Sequence, residues 1–258
     1  MLLRQILITT IVTTTALAQS SGPRVSTPSS RTNAGPKYDW HLGITATIFW
    51  IGEQPTQNNP TPNCKSSWDT RWQQNYGGYD NPKKSARRGY LPAKFTPKLN
   101  PFYIALPYND LIDHRRHKPE AARVIPWFKA YNPRPGQTVC RGKWVQIVRN
   151  KTVCYAQWED CGPFLTTDWE YVFKNKAPRN TKNQGAGIDI SPAVRDFMNI
   201  KSGDKVHWRF VEYTQVPPGP WRRYGSNNPF INPKARIAHT LDPRQREYLQ
   251  RLYDQRRR

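Results

Sequence analysis

The chain has 258 residues, with 40 lysines and arginines against 18 aspartates and glutamates, a formal charge of +22. A charge of that size favours anionic partners such as wall polymers, acidic polysaccharides, anionic lipid or nucleic acid, and part of it serves solubility. Past the N-terminal region no stretch is long or apolar enough to span a bilayer, so no transmembrane segment is expected.

The first eighteen residues have the layout of a secretory signal. Arg4 supplies a short positive region, Ile6 to Val12 an apolar one, and Ala16-Leu17-Ala18 a small-x-small cleavage site. Export to the periplasm or the extracellular space follows, which makes nucleic acid an unexpected partner and leaves an anionic cell-wall polymer or polysaccharide as the expected one. Four cysteines, Cys64, Cys140, Cys154 and Cys161, form an even set. In an oxidising compartment they predict two disulfides of open connectivity. With no CxxC pair and scattered histidines, no metal site and no cofactor are expected.

Residues 19–36 are rich in Ser, Pro, Thr and Gly and read as a disordered leader. Every tryptophan except Trp221 falls between residues 37 and 220, which places the core there. Ile44 to Ile51, β-branched and aromatic, is the expected first strand. Residues 54–100 are polar and read as a long ordered loop pinned by Trp68, Trp72 and Tyr76. Phe102 to Leu106 is a short apolar run that Pro107 ends. Lys143 to Val148 and Thr152 to Trp158 flank Arg149-Asn150-Lys151 as a hairpin. A register that sets Val148 opposite Val153 also sets Cys140 opposite Cys161, an arrangement compatible with a bridge that one bulge would undo.

Further on, Ile188 and Ile190 mark a short buried strand. Ser191 is placed to cap a helix that starts at Pro192 and runs through Ala193, Val194, Phe197 and Met198. Val206 to Tyr213 alternates as a closing strand, with Val206, Trp208 and Phe210 on one side and His207 and Arg209 on the other. Residues 222–235 read as irregular. From Asp242 a basic C-terminal helix is expected, with Tyr248, Leu249, Leu252 and Tyr253 on one face and Arg256-Arg257-Arg258 at its end. The division is a signal over 1–18, a leader over 19–36, a barrel domain over 37–220, and an extended segment with the basic helix over 221–258.

The order of these elements carries a resemblance. Asp160-Cys161-Gly162-Pro163-Phe164 ends a hairpin strand, and Ile188-Asp189-Ile190-Ser191 precedes a short helix, a Ser-Gly-Asp turn and a last strand. Over residues 143–212 this resembles the double-psi β-barrel of rare lipoprotein A, which is distantly shared with expansins. The resemblance implies a mainly β fold: a six-stranded double-psi barrel with a long loop insertion and short helices. It also implies chemistry on peptidoglycan, since the family includes lytic transglycosylases. Asp160 matches the family's proposed catalytic acid and Asp189 the aspartate of its second element. The family's histidine position is occupied here by Tyr103. Glu53, just past the first strand, is a third acid placed to reach a cleft, whose expected walls are Tyr103, Trp158 and Phe164. Trp158, Trp169, Tyr171 and Trp208 are each readable as a sugar platform or as core, and Glu159 as a solvated strand residue. Two function classes stand: an enzyme cleaving a β-linked glycan, and an expansin-like module that binds polysaccharide without cutting it.

Overall fold

Six strands close into a barrel in the computed structural model, which describes residues 38–56 and 59–235. They are β1 His41–Ile48, β2 Tyr103–Leu106, β3 Trp144–Arg149, β4 Thr152–Cys161, β5 Ile188–Ile190 and β6 Lys205–Val211, in the spatial order β1-β6-β3-β4-β2-β5. Two neighbouring pairs, β1 with β5 and β2 with β4, run parallel, and the other four run antiparallel. Closure leaves none of these strands with an unpaired edge. The proposed signal peptide, leader and C-terminal basic helix lie outside the described residues. Among the described residues no helix is long and apolar enough to cross a membrane.

Alternation with a period of two decides what each strand buries. Ile44 and Ala46 of β1, Ile104 and Leu106 of β2, Ile188 and Ile190 of β5, and Val206, Trp208 and Phe210 of β6 all enter one core. The strand expected over 44–51 instead occupies His41–Ile48. An irregularity between His41 and Ile44 extends it backwards, and Gly43 sits there at φ 63, its amide donating to His207 Nδ1 at 3.1 Å. The hairpin keeps the expected register, with Val148 opposite Val153 and Trp144 opposite Gln157.

The 54–100 insertion is pinned as expected, though by a core of its own. Helix α1, Trp72–Tyr76, buries Trp72 and Tyr76 against Phe49, Ile51, Leu99, Tyr103 and Ala105 on the outer side of the barrel wall. Four further short helices follow: α2 Ala121–Val124, α3 Phe128–Tyr131, α4 Trp169–Lys174 and α5 Pro192–Met198. Ser191 caps α5, its hydroxyl accepting from Val194 N at 3.3 Å, with Pro192 in the first turn. Residues 221–235 pack on the barrel: Trp221 is buried, and buried Asn228 donates to the carbonyls of Trp221 and Tyr224.

Two expectations are corrected. Glu159 is not solvated; it is 2% exposed, ion-paired with Arg141 at 3.1 Å and hydrogen-bonded by Asn227 at 2.9 Å. Its place in the chain explains this, because β4 carries an irregularity that sets Ile104 opposite Trp158 but Ala105 opposite Asp160, leaving Glu159 as the extra residue. The four cysteines are free thiols rather than two disulfides. Pairing between β3 and β4 ends near Lys143 and Trp158. The chain then turns, Lys143 N donating to Cys140 O at 3.1 Å, so Cys140 leaves the ladder before it reaches a place opposite Cys161.

Candidate functional site

A single cross-strand row builds the site on the outer face of the barrel. Thr47 of β1 lies opposite Asp189 of β5, Asp189 opposite Ala105 of β2, and Ala105 opposite Asp160 of β4. The inward neighbours of Asp189 are Ile188 and Ile190, so period-two alternation forces its carboxyl onto the other face. Between the two aspartates stands only a methyl group, which leaves depth for a cleft of about 740 Å³ lined by Thr47, Glu53, Ala105, Asp160, Gly162 and Asp189. Gly162 floors it, since a Cβ there would stand 3.1 Å from Asp189 Oδ2.

Each carboxyl is held differently. Asp160 Oδ1 accepts two backbone amides, Ser67 N at 2.8 Å and Cys161 N at 2.7 Å, and the first of these ties the inserted loop to the barrel. Burial pushes the Asp160 pKa up to about 6, although the two amides pull it back by favouring the charged form. Asp189 Oδ1 accepts the Thr47 hydroxyl. Burial is again the main cause of its rise, to about 7; the Thr47 bond opposes it, while the negative charges of Asp160 and Glu53 add to it. Glu53 accepts from Asn63 Nδ2 at 3.0 Å, and burial raises its pKa as well. Three acids thus share one cleft, and Asp189 keeps its proton close to neutral pH.

Phe164 stands at the rim, 41% exposed and at φ 60. A left-handed backbone is costly for a large side chain and is found where the surroundings impose it. Lys182 Nζ lies 5.3 Å from the centre of its ring, within cation–π reach. The structure therefore brings Asp160, Asp189, Glu53 and Phe164 to one cleft. Tyr103 and Trp158 are not cleft walls. Tyr103 is 1% exposed; its hydroxyl donates to Asp80 at 2.8 Å and accepts from Ile51 N at 3.0 Å, beneath the inserted lobe. Trp158 is 0% exposed inside the barrel, its indole N–H donating to Asp160 O at 2.7 Å. It fixes the backbone of the acid rather than touching a ligand. Tyr171 and Trp208 are core, joined by a 2.9 Å hydrogen bond.

Thr47, Ser67, Lys65 and Lys182 also serve the cleft, and sequence reasoning did not select them. Thr47 had a usable signal, a polar residue that with Thr45 alternates with Ile44 and Ala46. The other three sit in loops, where no periodicity points to a partner. Among the described residues no group of acids, histidines and cysteines is placed to hold a metal ion. No family model, curated protein or solved structure matches the chain.

Proposed function

We propose that this chain is an exported wall-associated protein with a double-psi barrel similar to that of rare lipoprotein A, and that its cleft binds and cleaves a β-linked glycan such as peptidoglycan. The observation that carries the reading is the row Thr47–Asp189–Ala105–Asp160, which sets two carboxyls of raised pKa on one groove floor with Glu53 beside them. The two parallel strand pairs within the closed barrel support the double-psi topology.

Glycoside cleavage needs an acid that is protonated at working pH and a second carboxylate that is not. Asp189 fits the first role, since it is the acid held to about 7. Its proton passes to the departing glycosidic oxygen as the C–O bond breaks. A water or sugar hydroxyl then bonds the anomeric carbon and gives its proton to ionised Asp160 or Glu53. Asp160 and Asp189 lie two strand spacings apart, on the order of 10 Å between backbones. Phe164 offers an apolar ring face for sugar stacking.

One observation favours a non-catalytic, expansin-like reading for Asp160: its Oδ1 is already engaged by two backbone amides, an arrangement that also serves to anchor the inserted loop. The test is Asp189→Asn beside Asp160→Asn, incubated with purified peptidoglycan. Asp189→Asn is expected to lower fragment release by about 10²–10⁴-fold with glycan retention kept. Retention with no fragments from the unaltered protein would establish the binding module instead.

A further inference from the structure

The cleft does not end at the carboxyl row. Ile48, the residue after Thr47 on β1, and Ser202, past α5, line both this cleft and a second depression of about 660 Å³. The two hollows thus adjoin across Ile48 and Ser202. Their charge is distributed in a definite way. The first lobe is lined by Lys65 and Lys182 and the second by Lys84 and Lys201; among the described residues none of these four ammonium groups has an ion-pair partner. The second lobe's one acid, Asp196, is already paired with Arg87 at 2.8 Å and Arg195 at 2.7 Å. Unpaired positive charge therefore stands at both lobes, with the carboxyl row in the first.

We propose that the groove is a two-lobe site for an extended anionic glycan, one whose sugars carry carboxylates, with Lys65 and Lys182 engaging the segment at the carboxyl row and Lys84 and Lys201 engaging the segment beyond it. This deepens the glycan reading above and rests on it. In the first lobe protonated Asp189 does not repel an anionic chain, and Lys65 and Lys182 offset the charge of Asp160 and Glu53 beside it. Charges of this kind act mainly on affinity, and their contribution weakens as salt screens them.

The experiment measures binding of the full chain to β-1,4-linked oligomannuronates of two to eight units, to chito-oligosaccharides of the same lengths, and to a single-stranded oligonucleotide of matching charge. The expected result is at least tenfold tighter binding of the octa-uronide than of the di-uronide, a preference over neutral oligomers, and weakening with salt. Lys84→Ala/Lys201→Ala should lower octamer affinity about tenfold and leave the dimer unchanged; Lys65→Ala/Lys182→Ala should weaken both. Equal affinity for neutral and anionic oligomers, with chito-oligosaccharides still bound or cut, would overturn this proposal and leave the glycan reading standing. An unaffected octamer in the Lys84→Ala/Lys201→Ala protein would also overturn it. Tighter binding of the oligonucleotide would assign the groove to another polymer. Absence of binding to any glycan would overturn both readings.

Discussion

Burial holds the proton on Asp189, and three neighbours, Thr47, Asp160 and Glu53, adjust it with a predictable sign. The Thr47 hydroxyl donates to the carboxyl and so favours its charged form. Thr47→Val keeps the shape and removes the donor, so the Asp189 pKa should rise further, by roughly one unit. Asp160→Asn removes a negative neighbour and should move the same pKa down. Carboxyl titration by NMR in the two variants reads both shifts; movement in the same direction in both would show that these contacts do not govern the group. The row itself was half legible. Asp189 stands out as an acid within a short apolar strand and is turned away from the core by alternation alone, while Asp160 is marked by its place before Gly162-Pro163-Phe164. That Ala105 lies between them is invisible in the chain, because Ala105 and Asp160 are paired by a parallel contact between strands far apart in sequence.

At the scale of elements, the inserted lobe depends on α1. Trp72 is fully buried, edge-on to Tyr103 at 5.3 Å and tilted against Phe49 at 6.1 Å. Trp72→Ala should cost about 3–5 kcal/mol. The lobe should loosen first, because Trp72 belongs to the smaller core and not to the barrel interior. Hydrogen exchange should then rise over residues 59–100 while the hairpin of β3 and β4 stays protected; uniform loss of protection would make the lobe and barrel one cooperative unit. The hairpin is the element that sequence reading places best, since both strands and their turn are contiguous and a register is fixed by the nearest loop. The first strand is placed three residues late. Phe49, Trp50 and Ile51 look like strand by composition, yet Phe49 and Ile51 serve the second core that the insertion supplies.

Across the whole molecule, buried titratable groups set the pH dependence of stability. His41 is stacked on Trp208 at 3.9 Å, and burial lowers its pKa to about 4. Its folded pKa lies below the unfolded value, so its contribution is present above about 6.5 and is lost as pH falls toward 4. Asp160 and Asp189 have folded pKa values above their unfolded ones, so they destabilise at neutral pH, and that cost shrinks as pH falls from 7 and 6 toward the unfolded values near 4. Two carboxyls outweigh one imidazole. From pH 7.5 to 5 the net gain should be about 2 kcal/mol, a Tm rise of roughly 4–8 °C. In the Asp160→Asn/Asp189→Asn protein the rise should be lost, with the raised carboxyls Glu53, Asp80 and Asp110 offsetting part of the His41 loss. A Tm that falls on acidification in the unaltered protein would contradict this assignment. The thiols give a second test. Cys140 and Cys154 are buried and burial raises their pKa values, whereas Cys64 is partly exposed. Alkylation of the native protein should reach Cys64 first and Cys140 and Cys154 only on unfolding, with four adducts in all.

The sequence by itself determined the class of the fold and the acids worth watching. Alternation in Val206 to Phe210, the contiguous hairpin, the Ser191-Pro192 helix start and the isolated polar positions in apolar strands are local patterns, and local patterns survive without a partner. Only the tertiary structure decided which aromatic rings are walls and which are filling. Tyr103, Trp158 and Phe164 are alike in composition and neighbourhood, yet Phe164 reaches solvent, Trp158 lies inside the barrel and Tyr103 lies under an insertion from residues 59–100. Exposure depends on what packs from elsewhere in the chain. The same reason governs the cysteines: a bridge needs two backbones brought to one place, and the turn after Lys143 takes Cys140 out of the ladder that would have carried it toward Cys161.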